Sequence, residues 1–257
     1  MQSSPSVAVI TGGSSGIGAE VARLLTGDGW RCVLVARGEE RLRTLAGELG
    51  VTGVAADVAT EEGRATIVAE IRRLGRLDWL VNNAGTGGGT AGLDVDVERA
   101  LRVLETNFYS HVALTHELWP LLREAPRARV ISVSSSLGTY SSSGSITYGA
   151  SKAALTSWGR GLAVAARRAE IEVTLVNPGP VATTTFPHTE LLAHRWKRRL
   201  VIDVERCVDD VMRTVDRGGG EVWSHPIFRL PAVLQAVAPC TYDRFLVQRR
   251  QRPPRPR

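Results

Sequence analysis

The chain is poor in cysteine, in aromatic residues and in long apolar runs, and each shortage removes a class of protein. Its three cysteines, Cys32, Cys207 and Cys240, are odd in number and far apart. They form no Cys-x-x-Cys metal pair and no disulfide framework, so reduced thiols and a cytoplasmic setting are the expectation. His188, His194 and His225 lack ligand spacing as well, and no metal is assigned. No stretch approaches the ~18 apolar residues of a membrane-spanning helix. The opening Met-Gln-Ser-Ser-Pro-Ser has no basic segment, and the apolar run after it is too short for a signal peptide. Acidic residues are missing from the last ten positions, 248–257, where five arginines collect. Setting those five aside from the 32 Lys and Arg leaves 27 bases against 26 acids, so the net charge of +6 belongs to the tail. A Pro/Arg tail of this kind reads as disordered, and a nucleic-acid surface is not supported. Residues 1–247 suffice for one sizeable core and read as one domain.

Glycine is present where it matters. A short apolar strand, Val7–Ile10, leads into Thr11-Gly12-Gly13-Ser14-Ser15-Gly16-Ile17-Gly18, and a helical pattern then runs from Ala19 to about Thr26. In that context glycines let the backbone approach a pyrophosphate, to which the helix N-terminus offers free N–H groups. Ser14 and Ser15 can add hydrogen bonds to the phosphate. A second strand, Cys32–Val35, ends in Ala36-Arg37, where an acid would hold a ribose 2′-hydroxyl. Ala36 cannot do so, whereas Arg37 suits a 2′-phosphate. This favours NADP(H) over NAD(H), with a solvated Arg37 opening the helix Glu39–Leu49 as the plain alternative.

Further along, strand Val51–Val58 carries Asp57, and a helix follows over Glu61–Leu74. Strand Leu77–Val81 feeds Asn82-Asn83-Ala84-Gly85. A helical segment from Val95 to Glu124 contains Asn107, with Pro120 as a candidate kink. Strand Val130–Val133 precedes Ser134, Ser135, Ser136 and a Gly/Ser-rich loop, and a helix runs from near Tyr148 to Arg168. Strand Glu172–Val176 ends in Asn177-Pro178-Gly179-Pro180-Val181-Ala182-Thr183. Regular alternation predicts an α/β doubly wound parallel sheet of about seven strands with helices on both faces. The glycine turn, Arg37, Asp57, Asn82, Ser135 and Pro178 all follow strand ends, so they converge on one edge.

Tyr148 and Lys152 are four residues apart and share a helix face. A phenol titrates near ~10, and a close positive charge favours the phenolate. A shift of about three units corresponds to about 4 kcal/mol. One lysine is a small source for that, so a second cation such as a nicotinamide ring has to contribute. Taken alone, Tyr-x-x-x-Lys also fits an ordinary amphipathic helix.

Together these segments resemble the short-chain dehydrogenase/reductase family over residues 5–185. The likeness rests on Thr11–Gly18, Asn82–Gly85, Asn107, a serine thirteen residues before Tyr148, Lys152, and the Pro178-Gly179 pair. The resemblance implies a Rossmann-like fold and a nicotinamide cofactor. It places Gly12, Gly16, Ile17 and Gly18 along the pyrophosphate and Asp57 and Val58 at the adenine. Asn82 would support the neighbouring strand, with Asn83, Ala84 and Gly85 beside the cofactor. Pro178, Gly179, Val181 and Thr183 would face the nicotinamide. Tyr148 would exchange the proton, Lys152 would bind the ribose and lower the phenol's pKa, and Asn107 would hold a relay water. Family spacing selects Ser135 from the three serines as the partner of Tyr148.

The resemblance further implies a mobile substrate lid over 184–202, where Phe186, Leu191, Leu192 and Trp196 are candidates to line an apolar pocket. Arg195, Lys197, Arg198 and Arg199 are either a site for an acidic substrate or a solvated face. The segment 226–247 departs from the family's usual ending and is similar to extensions that sit near lipid or over a hydrophobic substrate. This puts the tetramer in doubt and leaves a homodimer through the helices of Asn107 and Tyr148. The expected activity is NADP(H)-dependent reduction of a carbonyl, or oxidation of a secondary alcohol, on a fairly apolar small molecule. The alternatives are a non-catalytic cofactor-binding or scaffold protein and a reductase of a lipid-like substrate at the inner membrane surface.

Overall fold

The chain's structure, a computed structural model, describes residues 5–87, 96–183 and 188–244. Seven strands form one parallel sheet: β1 (Val7–Thr11), β2 (Arg31–Ala36), β3 (Thr52–Ala55), β4 (Trp79–Asn82), β5 (Arg129–Val133), β6 (Glu172–Val176) and β7 (Gly220–Val222). They lie in the order β3-β2-β1-β4-β5-β6-β7. The chain thus builds outward from β1 to one edge, then returns to the other side of β1 with β4. Nine helices are described: α1 (Gly16–Gly27), α2 (Glu39–Leu49), α3 (Glu61–Leu74), α4 (Val97–Leu104), α5 (Ser110–Glu124), α6 (Ile146–Ala166), α7 (Thr189–Ala193), α8 (Val204–Asp216) and α9 (Arg229–Val237).

The central strands are continuous apolar runs because both faces are covered. Alternation splits their side chains between two cores. Ile10, Leu34, Val81 and Ile131 meet Leu25 of α1, Leu42 of α2 and Val208 of α8 on one face. Val9, Val33, Leu80 and Val130 meet Ile67 of α3 and Leu114 and Leu118 of α5 on the other. Fully burying one such side chain stabilises by about 1.5–3 kcal/mol. No helix of the described residues is long and apolar enough to cross a membrane.

Several boundaries depart from the sequence expectation. Strand β3 stops at Ala55, because Asp57 turns the chain: its Oδ1 accepts from the Ala59 N–H at 3.0 Å. Helix α1 starts at Gly16, three residues early. The expected single helix through Asn107 is interrupted by a π turn at Glu105–Tyr109, and Pro120 lies inside α5 without ending it. Pro120 is exposed, and His116, whose carbonyl loses its N–H partner, is exposed too. Of the lid expectation, 184–187 lie outside the described residues. The rest is the short helix α7 and a 3-10 turn at Lys197–Leu200. The tail 248–257 likewise lies outside them.

Candidate active site

The switch in winding direction opens a crevice between the ends of β1 and β4, where α/β sheets bind their ligands. Thr11 laces the two ends together. Its hydroxyl donates to the Val81 carbonyl (3.1 Å) and accepts from the N–H groups of Asn83 (2.9 Å) and Ala84 (3.0 Å). The Asn83 amide returns the contact, donating to the carbonyls of Thr11 (2.9 Å) and Gly12 (3.2 Å). Gly12 has φ +64°, and a Cβ there would stand 2.8 Å from Asn83 Nδ2. Only glycine suits both the backbone angle and the space.

A cavity of about 470 Å³ starts at this turn and runs past the ends of β5 and β6. Gly12, Ser15, Gly16 and Ile17 border it, and α1 begins there with no side-chain cap on Ser15. Uncapped N–H groups at a helix start match a diphosphate in charge and in hydrogen-bonding sense. Ser14 does not reach this wall, and neither does Gly18. A Cβ on Gly18 would lie 2.5 Å from the Gly12 carbonyl, so this glycine seats α1 on the turn. Asn82 is buried away from the cavity and donates to Thr115 Oγ1 at 2.8 Å.

The three adjacent serines are separated by their partners. Ser134 Oγ donates to the Lys152 carbonyl (2.9 Å) and pairs with Thr156 Oγ1 (2.7 Å). Ser136 bonds the Tyr140 side chain, and Ser135 bonds the Tyr148 side chain. Gly138 lets this loop lie on α6, because a Cβ there would fall 2.5 Å from the Lys152 carbonyl oxygen. Ser135, Tyr148 and Lys152 therefore meet on one wall of the cavity, together with Gly85, Pro178, Gly179, Val181 and Thr183.

The electrostatics differ from the sequence expectation. Burial pushes the Tyr148 phenol above its ordinary pKa, and the Ser135 hydrogen bond only partly offsets this. Lys152 does not supply the expected lowering. Its Nζ donates to the Val133 carbonyl at 2.8 Å, and desolvation pushes its own pKa down to about 7. A lysine so poorly hydrated carries less charge to lend at neutral pH. His111, which sequence reading passed over, is buried behind it. Its Nε2 bonds the Ala84 carbonyl at 2.7 Å, and burial, with the Lys152 charge adding, pushes it down to about 3.

Asn107 is fully buried in the π turn. Its Oδ1 accepts from Thr86 N (2.7 Å), and its Nδ2 donates to the Thr86 carbonyl (2.9 Å) and to Ser151 Oγ (3.0 Å). Ser151 Oγ in turn donates to the Tyr148 carbonyl at 2.7 Å, so the side chain ties 86–87 to α6. π turns of this kind recur at functional positions in helices.

Arg37 and Asp57 border a second cavity of about 460 Å³ with Thr86, Arg99 and Arg102. Thr86 lies between Gly85 and Gly87 of the first cavity wall, so the two spaces adjoin. Arg37 Nη1 stands 3.6 Å from Asp57 Oδ2, with the arginine side chain 64% exposed. Val58 is buried in the core.

The far wall was the least legible in sequence. Leu137, Tyr140, Ser145, His188, Leu191 and Phe228 border the first cavity. Of the apolar lid candidates, Leu191 does so, while Leu192 is exposed and Trp196 is 69% exposed. The Arg195 and Arg199 guanidinium groups lie over the Trp196 ring at 5.5 and 5.4 Å. Phe186 lies outside the described residues. Among the described residues no cluster of His, Cys, Asp or Glu could hold a metal ion.

Known proteins are similar to this chain in sequence and in fold. The model of the short chain dehydrogenase family matches residues 6–191. A 3-oxoacyl-(acyl-carrier-protein) reductase of Bos taurus is 34% identical over 188 residues, covering 72% of this chain and 77% of that protein. Among solved structures, a short-chain dehydrogenase from Sphingobium yanoikuyae in complex with NADPH superposes with a TM-score of 0.78 at 26% identity. It covers 93% of this chain and 96% of its own. A 3-ketoacyl-(acyl-carrier-protein) reductase from Brucella melitensis, complexed with NADH, gives 0.71 at 26% identity, over 79% and 88% of the two chains.

Proposed function

The chain belongs to the short-chain dehydrogenase family and is an NAD(P)-dependent oxidoreductase, and from that premise we propose that it reduces the carbonyl of a fairly apolar small molecule with NADPH. The observation that carries the reading is the meeting of Ser135, Tyr148 and Lys152 on one wall of the cavity that starts at the glycine turn. A phenol hydrogen-bonded to Ser135 can give its proton to a carbonyl oxygen in reduction and, by the same steps reversed, take it back in alcohol oxidation.

The glycine turn and the uncapped start of α1 fit a diphosphate, so Gly12, Ser15, Gly16 and Ile17 are assigned to hold it. Asn83, Ala84 and Gly85 flank the ribose, Asp57 and Val58 the adenine, and Pro178, Gly179, Val181 and Thr183 the nicotinamide. When bound, the nicotinamide supplies hydride to the carbonyl carbon. Ser135 and Tyr148 hydrogen-bond the carbonyl oxygen, where negative charge develops, and Tyr148 gives it the proton. Lys152 would bind the ribose hydroxyls and, when charged, favour the phenolate of Tyr148. Asn107 keeps Thr86 and Ser151 in register and so positions α6.

The phosphate form of the cofactor is supported by Arg37, exposed just past the end of β2 and 3.6 Å from Asp57 Oδ2. The relatives' names, reductases of 3-oxoacyl groups, add support for a ketone substrate. Pairing of two chains through α5 and α6 is supported by exposed Tyr109, Ile146 and Val164, and light scattering reads it directly.

The test is turnover of a panel of ketones and aldehydes, followed by NADPH absorbance. Reduction of ketones bearing alkyl or aryl groups supports the reading. No turnover of any carbonyl, with NADPH bound, would sink it in favour of a non-catalytic role.

A further inference from the structure

One wall of the cavity comes from the C-terminal segment that the sequence set apart from the family pattern. Phe228 borders the cavity and lies directly on Gly179: a Cβ at Gly179 would stand 2.4 Å from the ring's Cε2 and 2.7 Å from Cδ2. Gly179 does not have a positive φ, so its missing side chain serves space and not backbone conformation. The His225 ring packs against it, edge to face, with centroids 5.7 Å apart and planes at 74°.

The same segment is fastened to the loop between Ser135 and Tyr148. Every backbone and side-chain polar group of Ser141 is used. Its N–H donates to Gln235 Oε1 (2.6 Å), its Oγ accepts from Gln235 Nε2 (2.8 Å), and its carbonyl accepts from the Tyr242 hydroxyl (2.6 Å). Tyr242 is 3% exposed. Tyr140, the neighbour of Ser141, borders the cavity opposite the glycine turn. The loop and the segment that carries Phe228 are thereby one unit, and the spacing between Tyr140 and Phe228 is set by these bonds.

We propose that Phe228 is the specificity-determining residue that limits the size of the substrate group on its side of the cavity, and that Gln235 and Tyr242 are positioning residues acting on it through Ser141. This rests on the carbonyl reductase reading. Neither Phe228 nor Ser141 touches the reacting atoms. They decide which ketone reaches Ser135 and Tyr148.

The experiment compares a methyl aryl ketone with a ketone carrying bulky groups on both sides, using the full chain. Affinity for the protein saturated with NADP⁺ is read by calorimetry, and kcat/KM by NADPH consumption. Phe228→Ala is expected to raise the bulky-to-small preference in both measurements by roughly tenfold, as removal of pocket-lining carbons does. Tyr242→Phe is expected to shift it in the same direction by less, and the Phe228→Ala/Tyr242→Phe double variant to go no further than Phe228→Ala alone. An unchanged preference in Phe228→Ala overturns the proposal, and an additive double variant overturns the role of the Ser141 tie. Should Phe228→Ala not fold, Phe228→Leu replaces it, with a smaller shift in the same sense expected and an unchanged preference again decisive against. Ketones that bind but are never reduced would count against the reductase reading alone, with the binding preferences still deciding this one.

Discussion

Lys152 Nζ donates to the carbonyl oxygen of Val133 at 2.8 Å, so the ammonium is anchored to the end of β5 while Tyr148 bonds Ser135. The two members of the Tyr-x-x-x-Lys pair share a helix face but have separate partners. Burial therefore dominates the acid–base behaviour of both groups, and for the phenol the Ser135 hydrogen bond comes second.

Removing the phenol tests the proton donor. Tyr148→Phe keeps the ring and loses the hydroxyl, and turnover should fall by about 10²–10⁴-fold while NADPH affinity stays within about twofold. Single-turnover reduction of a ketone by bound NADPH checks it. Unimpaired turnover would mean the proton comes from another group.

Arg37→Ala should weaken NADPH binding by about ten- to a hundredfold, the ~1.5–3 kcal/mol of a charged hydrogen bond, with little effect on NADH. Equilibrium titration with both cofactors decides the matter. Equal losses would remove the reason for assigning the phosphate form.

The lowered pKa of Lys152 has a stability signature. The folded chain releases this proton near pH 7 and the unfolded chain only near ~10.4, so between those values the unfolded state binds more protons. Its contribution to stability therefore rises with pH across that window. The melting temperature of the cofactor-free chain relative to Lys152→Met should climb from pH 7 toward 10, and a flat difference would contradict the burial of a charged group.

His111 acts in the same sense at lower pH. Its folded value of about 3 lies below the ordinary ~6.5, so stability is lost as pH falls from 6.5 toward 3. His111→Gln should narrow its deficit against the natural chain over that interval, as melting curves at stepped pH would report.

Gly138→Ala should destabilise the fold by about 1–3 kcal/mol, since the added carbon meets the Lys152 carbonyl at 2.5 Å. Denaturant unfolding measures it. A neutral substitution would show that the loop can lift from α6 at no cost.

How much of this could be read in advance follows from where the causes lie. Helices α2 and α3 match their expected limits because the stop signals are local: Gly50 and Gly75 take left-handed conformations, and Thr60 accepts from the Gly63 N–H. The half of the cavity proposed for the cofactor is also local, with glycines and strand ends that announce themselves in order. The choice of Ser135 over its neighbours followed from spacing, and the bonds of Ser134 and Ser136 give the physical reason. The π turn at Glu105–Tyr109 had no such marker. Pro120 drew attention as a breaker, yet the interruption sits where Asn107 reaches Thr86 and Ser151. Phe228 was out of reach for a similar reason, since its place is decided by Gly179 and Ser141, both distant in sequence. The expected lowering of the tyrosine's pKa called for a nicotinamide ring beside Lys152; in the cofactor-free chain burial raises the phenol, and helical spacing says nothing about hydration.

The stitching of Ser134 to the Lys152 carbonyl has a consequence for how such a protein can change over generations. Serine, phenol and amine lie within one short stretch of chain whose internal geometry is locked by its own bonds and by the absence of a side chain at Gly138. The chemistry is therefore portable as a cassette. Phe228 comes from a remote segment, so a substitution at that one position can reshape the cavity while the bonds of Ser134 and the contact at Gly138 stay in place.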